Sequence, residues 1–232
     1  MNRKNLTAAV LAGLAGVAGI AGTAQAVNMN PDGLGQVLVY PYYTANEGNL
    51  TVLSVVNTTD NAKAIKVRFL EGFNSREVLD FNLYMSEWDV WVAAIEHTEV
   101  SNPVEDFYTD TALHISDTSC TVPYLYETVG GVQPFLKLAY TGDFNDGGPE
   151  DDGRSAEGHI EMIEMGTLTG VAADAVRHGD DDMPANCDLL TDYWTSYVGA
   201  GGENGMWYEE AVANDGCCLL YTSDAADEYQ RV

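Results

Sequence analysis

One feature constrains this chain more than any other: apolar and polar side chains alternate with a period of two, repeatedly, between Gly35 and Ile95. Ile65, Val67 and Phe69 alternate with Lys66 and Arg68, and Leu79, Phe81, Leu83 and Met85 alternate with Asp80, Asn82 and Tyr84. Successive side chains of an extended strand point to opposite faces, so this is the pattern of half-buried strands. Residues 36–40, 51–56 and 88–94 are further runs of β-branched, aromatic and aliphatic side chains. Polar punctuation, such as Asn46-Glu47-Gly48-Asn49 and Ser86-Glu87, separates them. Strands recurring every 10–15 residues or so predict a mainly β fold, an antiparallel sandwich of immunoglobulin-like type. Ser86-x-x-Asp89 fits a helix capping box, but the strand-like Val90-Trp91-Val92 after it makes a turn the better reading.

The second half is less regular. Residues 112–116, 132–140 and 158–165 read as strands. Residues 168–177 and 187–198 read as short helices, the latter with Leu189, Leu190, Tyr193, Trp194 and Tyr197 on one face. The Gly- and Asp-rich stretch 142–155 reads as a surface loop that buries no core. No Pro/Ser linker divides the chain, so residues 27–216 are expected to form one β-rich domain.

Acidic residues number 36 against 10 Lys and Arg, a formal net charge of −26. An apolar fraction of 46% still allows a packed core. Nucleic acid is excluded as a partner, because phosphate binding draws on Lys and Arg. Anionic membrane surfaces are disfavoured for the same reason. Such acidity suits cations, a cationic partner, or salty water, where the Debye length falls to roughly 3 Å at 1 M.

The two ends read as something other than the domain. Arg3 and Lys4, an apolar run over residues 6–22 and Ala24-Gln25-Ala26 make residues 1–26 a secretory signal peptide. No other stretch is apolar for long enough to span a membrane, so no span is expected in the mature chain. At the other end, Cys218-Leu219-Leu220-Tyr221-Thr222-Ser223-Asp224-Ala225-Ala226-Asp227-Glu228 resembles translated sequencing-adapter sequence. Residues 217–232 are therefore expected to be an unstructured artefact, with the natural frame cut near Gly216. Cys217 and Cys218 are accordingly not read as ligands.

Val56-Asn57-Thr58-Thr59-Asp60, Val67-Arg68-Phe69-Leu70-Glu71-Gly72, Arg76-Glu77-Val78-Leu79-Asp80-Phe81, Ala139-Tyr140-Thr141-Gly142-Asp143-Phe144 and Pro184-Ala185-Asn186-Cys187 resemble an uncharacterised family of secreted proteins of Gram-negative bacteria. The resemblance covers most of the mature chain. It implies secretion and a longer C-terminus, and it supplies no catalytic residues.

Cys120 and Cys187 form an isolated pair, which in an exported chain favours a disulfide. Closing a loop of about 70 residues is worth roughly 4 kcal/mol in the chain-entropy model. The sharpest local motif is the acidic loop. Its Asp143, Asn145, Asp146, Glu150, Asp151 and Asp152 offer the oxygens a hard cation such as Ca²⁺ takes from a flexible loop. The EF-hand template fails, since counting from Asp143 the twelfth position is Arg154, not Glu. A solvated acidic turn is the competing reading. His97, His114, His159 and His178 form no zinc motif, and no G-x-S-x-G, phosphate loop or dinucleotide glycine pattern occurs. Lys63, Lys66, Arg68 and Arg76 are the one basic island, and are expected to pair across strands.

The expectation is a secreted, non-enzymatic surface or matrix protein in the periplasm, at the cell surface or outside it. Edge strands and exposed aromatics such as Tyr42, Tyr43 and Trp91 would serve self-assembly or partner binding, with calcium as the candidate cofactor. The alternative is a secreted hydrolase of polysaccharide type that uses paired carboxylates.

Overall fold

The computed structural model describes residues 34–98, 107–125, 130–195 and 212–213. The signal-peptide reading of residues 1–26 and the adapter reading of residues 217–232 lie outside the described residues. The elements below belong to the compact unit that begins at Gln36.

Alternation becomes strand wherever the sequence carries it. In chain order the strands are β1 (Val37–Thr44), β2 (Thr51–Val56), β3 (Lys63–Glu71), β4 (Glu77–Met85), β5 (Val90–His97), β6 (Tyr108–Ile115), β7 (Cys120–Val122), β8 (Val132–Leu136) and β9 (Glu157–Leu168). Helices α1 (Gly170–Val176) and α2 (Cys187–Thr195) and the short strand β10 (Val212–Ala213) follow. All strand pairs are antiparallel. One sheet runs β1-β9-β3-β4-β7, with β10 also on β9, and the other runs β2-β5-β6-β8. The chain is thus mainly β, an antiparallel sandwich with two short helices. Its strand order is not the A-B-E-D and C-F-G order of an immunoglobulin domain.

Register explains the core. Val67 lies opposite Phe81 and Met162, and Phe69 opposite Leu79 and Ile160, so one face of the first sheet is apolar across three strands. Leu53 opposite Ala93 and Val55 opposite Trp91 do the same for the second sheet. Between the sheets Tyr43, Phe69 and Phe135 meet with centroids 5.3–6.3 Å apart, and Phe81 meets Trp91 at 5.9 Å. Such aromatic pairs contribute beyond their buried area. Gly158 is dictated by this packing: a Cβ there would lie 2.0 Å from the Leu70 carbonyl oxygen and 2.7 Å from the Tyr43 ring.

The outer face of the first sheet is divided. At one end α1 and α2 cover Ala64, Tyr84 and Met165 with Ala172, Val176, Leu190 and Tyr193. Cys120, which opens β7, and Cys187, which opens α2, lie at disulfide distance with Cα atoms 5.3 Å apart, so the cross-link ties the helical layer to the sheet edge. Three of the four residues of the basic island pair across strands as expected, while Arg76 instead meets Asp146 of the acidic loop at 3.3 Å. Lys66 meets Asp80, Arg68 meets Glu77 and, at 3.3 Å, Glu161, and Lys63 meets Glu164 at 2.7 Å.

Three expectations are corrected. Tyr43 and Trp91 are not exposed aromatics: both are 0% exposed, because Tyr43 on the first sheet and Trp91 on the second each face the opposing sheet. Tyr42 is exposed as expected, and Phe73 and Trp88 are exposed as well. The strand expected over 132–140 ends at Leu136 and continues as a 3-10 turn, Lys137–Tyr140. The stretch 142–155 does bury residues, Arg154 and Ser155 among them.

Candidate functional site

The acidic loop was the sharpest motif, and its geometry turns on Arg154. A 3-10 turn, Asp152–Ala156, leads into β9 and carries the Arg154 side chain inward, where it is 1% exposed. Its guanidinium lies over the rings of Tyr140 (4.6 Å) and Phe73 (5.1 Å), a cation–π position on both. Nη1 and Nη2 donate to the two carboxylate oxygens of Asp146 at 2.8 and 2.5 Å. Nη2 also donates to Glu71 Oε1 at 3.1 Å and Asn74 Oδ1 at 2.8 Å. Two-pronged Arg–carboxylate contacts of this kind are the strong, geometrically specific ones.

Glu71 closes the arrangement from the β3–β4 turn. It is fully buried, and its carboxylate accepts the backbone N–H groups of Phe73, Asn74 and Arg76 at 2.6, 3.1 and 2.9 Å. Burial alone would push the Glu71 carboxyl up, but the Arg154 guanidinium and the three N–H donors outweigh it and hold it below its ordinary value. The Arg154 hydrogen bonds hold Asp146 far below the usual carboxylate range, helped by the Gly148 N–H, Asn74 and Arg76. Asp146 in turn raises Arg154.

Of the six residues considered for calcium, Asn145, Asp146, Glu150 and Asp152 have side-chain partners within the protein. Asp146 faces Arg154. Asn145 bonds Glu150 and accepts the Gly147 N–H at 2.6 Å. Asp152 pairs with Lys137 at 2.9 Å, and the Asp151 carbonyl accepts the Tyr140 hydroxyl at 3.2 Å. Asp143 lies in the 3-10 turn Gly142–Phe144. Among the described residues no three Asp, Glu, His or Cys side chains gather as a metal ion requires. The arginine that failed the EF-hand template at its twelfth position is the cation that answers the loop's charge. Sequence reasoning missed Glu71 as its partner, since a glutamate ending a strand 83 residues away carries no local signal.

A second cluster lines a shallow depression of about 390 Å³, formed by Asp89, Ser116, Asp117, Thr118, His178 and Asp182. Asp89 folds its own turn, with Oδ2 accepting the Ser86 N–H at 3.2 Å and Oδ1 the Val90 N–H at 2.8 Å. Asp117 accepts the N–H groups of Ser119 (2.9 Å) and Val92 (3.3 Å). His178 Nδ1 lies 3.4 Å from Ser86 Oγ and 3.9 Å from Asp89 Oδ2. Serine, histidine and aspartate thus meet, but serine and aspartate approach the same ring nitrogen. A nucleophilic triad needs one on each nitrogen. The Ser86-x-x-Asp89 motif is the turn expected from the sequence; nothing local tied it to His178. On β9, Glu161 pairs with Arg68 at 3.3 Å.

In comparisons with protein-family models, curated proteins and solved structures, no match to the chain was found.

Proposed function

We propose that this chain is a secreted, non-enzymatic surface or matrix protein with a structural or binding role. The observation that carries the reading is the use made of its polar groups and its interior. The space between the sheets is filled by Tyr43, Phe69, Phe81, Trp91 and Phe135, all at most 1% exposed. Among the described residues, Glu71 and Asp146 spend their carboxylates on Arg154, and Asp89 and Asp117 spend theirs on backbone N–H groups. An enzyme of the acid/base kind keeps at least one carboxylate available to substrate and tunes it by its surroundings. A carboxyl that burial does raise, Glu77, lies on the sheet face against Arg68 rather than in the depression. Export is supported by the leader pattern of residues 1–26 and by a cysteine pair suited to an oxidising compartment.

The second reading, a secreted polysaccharide hydrolase, has the Asp89–Asp117–His178 depression in its favour. Expression in a Gram-negative host separates the two. The proposal expects export, processing after Ala26, and no reducing ends released from a polysaccharide panel. Hydrolysis that disappears in Asp117→Asn would establish the second reading in its place.

A further inference from the structure

We propose that the outer face of the four-stranded sheet, at its β2–β5 end, docks a basic, aliphatic segment of a partner protein. The inference rests on the binding role proposed above and names the surface and the chemistry of its partner. Val52, Val56, Val90 and Val92 are 64, 51, 47 and 41% exposed. The register pairs Val56 with Val90, Ser54 with Val92 and Val52 with Ala94, so these six side chains share one face of two adjoining strands. None of the six is ionisable. Contiguous apolar surface of this kind on an exported chain marks a contact site.

Trp88 stands at the end of this face. It is 64% exposed and holds a positive φ of 62°, a conformation that bulky side chains rarely adopt. Its backbone N–H donates to the Thr59 carbonyl at 3.2 Å and holds the turn, while its side chain stays in solvent; tryptophan is among the side chains most enriched as interface anchors.

Charge then selects the occupant. The apolar face runs directly into the acidic depression, since Asp89 precedes Val90 and Asp117 accepts the Val92 N–H. Asp182 lines the same depression. Each described Lys and Arg side chain already meets a carboxylate. A second copy would bring the same acidic rim and the same net charge of −26, with no unspent cation among the described residues. A partner segment that carries aliphatic side chains with Lys or Arg satisfies both halves of the surface. It would dock on the face rather than extend the sheet. The edge strand β2 is already engaged at its midpoint, where the Tyr40 hydroxyl donates to the Ser54 carbonyl at 2.7 Å.

The test titrates the full chain into a short fluorescent peptide of alternating Lys and Val, beside Lys–Ser and Glu–Val peptides. The Lys–Val peptide is expected to bind at least about tenfold more tightly than either control, a step of one decade in Kd. Its affinity should fall with added salt. Val52→Ser with Val92→Ser should weaken it by about the same factor, and Asp182→Asn should weaken it and flatten the salt dependence. All three positions lie at the surface, and circular dichroism confirms that each variant is folded before it is titrated. Equal binding of Lys–Ser and Lys–Val, unchanged binding by the valine variant, or no binding at all would overturn the proposal. So would a dimer in sedimentation that Val92→Asp dissolves, because the occupant would then be a second copy. An enzymatic chain would release product from polysaccharide whatever the peptide does. Loss of peptide binding without hydrolysis would therefore sink the docking surface alone.

Discussion

Arg154 shows how one residue decides what an acidic loop becomes. With Glu71 fully buried, removing the guanidinium takes away its cationic partner and leaves it only backbone N–H donors, and breaking a buried pair from one side typically costs 3–5 kcal/mol or so. Arg154→Met is therefore expected to lower stability by about that amount in chemical denaturation. Arg154→Lys should recover only part of it, since an ammonium cannot make the same two-pronged contact. A loss within about 0.5 kcal/mol, the usual range for surface substitutions, would mean the contacts add little. The pH dependence has a definite sign. Glu71 and Asp146 are held below their ordinary values in the folded state. Their contribution is thus fully present above the unfolded carboxyl pKa, about 4, and is lost as pH falls below it. The melting-temperature gap between wild type and Asp146→Asn should be widest near neutrality and narrow steadily as pH falls from about 4 toward 2, closing only where the folded-state Asp146 itself protonates. Self-repulsion of the acidic surface is common to both proteins and cancels in the gap. A gap that stays constant across that range would contradict the assignment.

At the scale of elements, the cross-link between β7 and α2 holds the helical layer on the first sheet. The cysteines are 67 residues apart in sequence. Cys120→Ala with Cys187→Ala is expected to cost about 4 kcal/mol in the chain-entropy model. Hydrogen exchange should then quicken first in α1 and α2, while β3 and β9 stay protected; uniform quickening would show that the layers do not separate. Strands β2 to β5 and the ion pairs of Lys63, Lys66 and Arg68 were legible because alternation and cross-strand charge are local patterns. β7 was not, since three residues are too short for a period to register. Tyr43 and Trp91 were misplaced because alternation tells that a residue faces one side of its sheet, not which side another sheet covers. The buried part of the loop was not legible for a related reason: Arg154 comes from the loop's own far end and Glu71 from another strand.

Over the whole molecule, the described bases are all engaged and the excess acid faces solvent. Salt should therefore raise the melting temperature by screening self-repulsion, and Ca²⁺ should do no more than Na⁺ at matched ionic strength. A rise specific to Ca²⁺, abolished by Asp143→Ala with Asp151→Ala, would restore the loop as a metal site. The same surplus of acid is what gives the valine face a cationic partner to look for rather than a copy of itself. The surface role is tested most directly by antibody labelling of intact, unpermeabilised cells that make the protein. Label is expected on the outer surface or in shed matrix. Label that appears only after the cells are opened would contradict it.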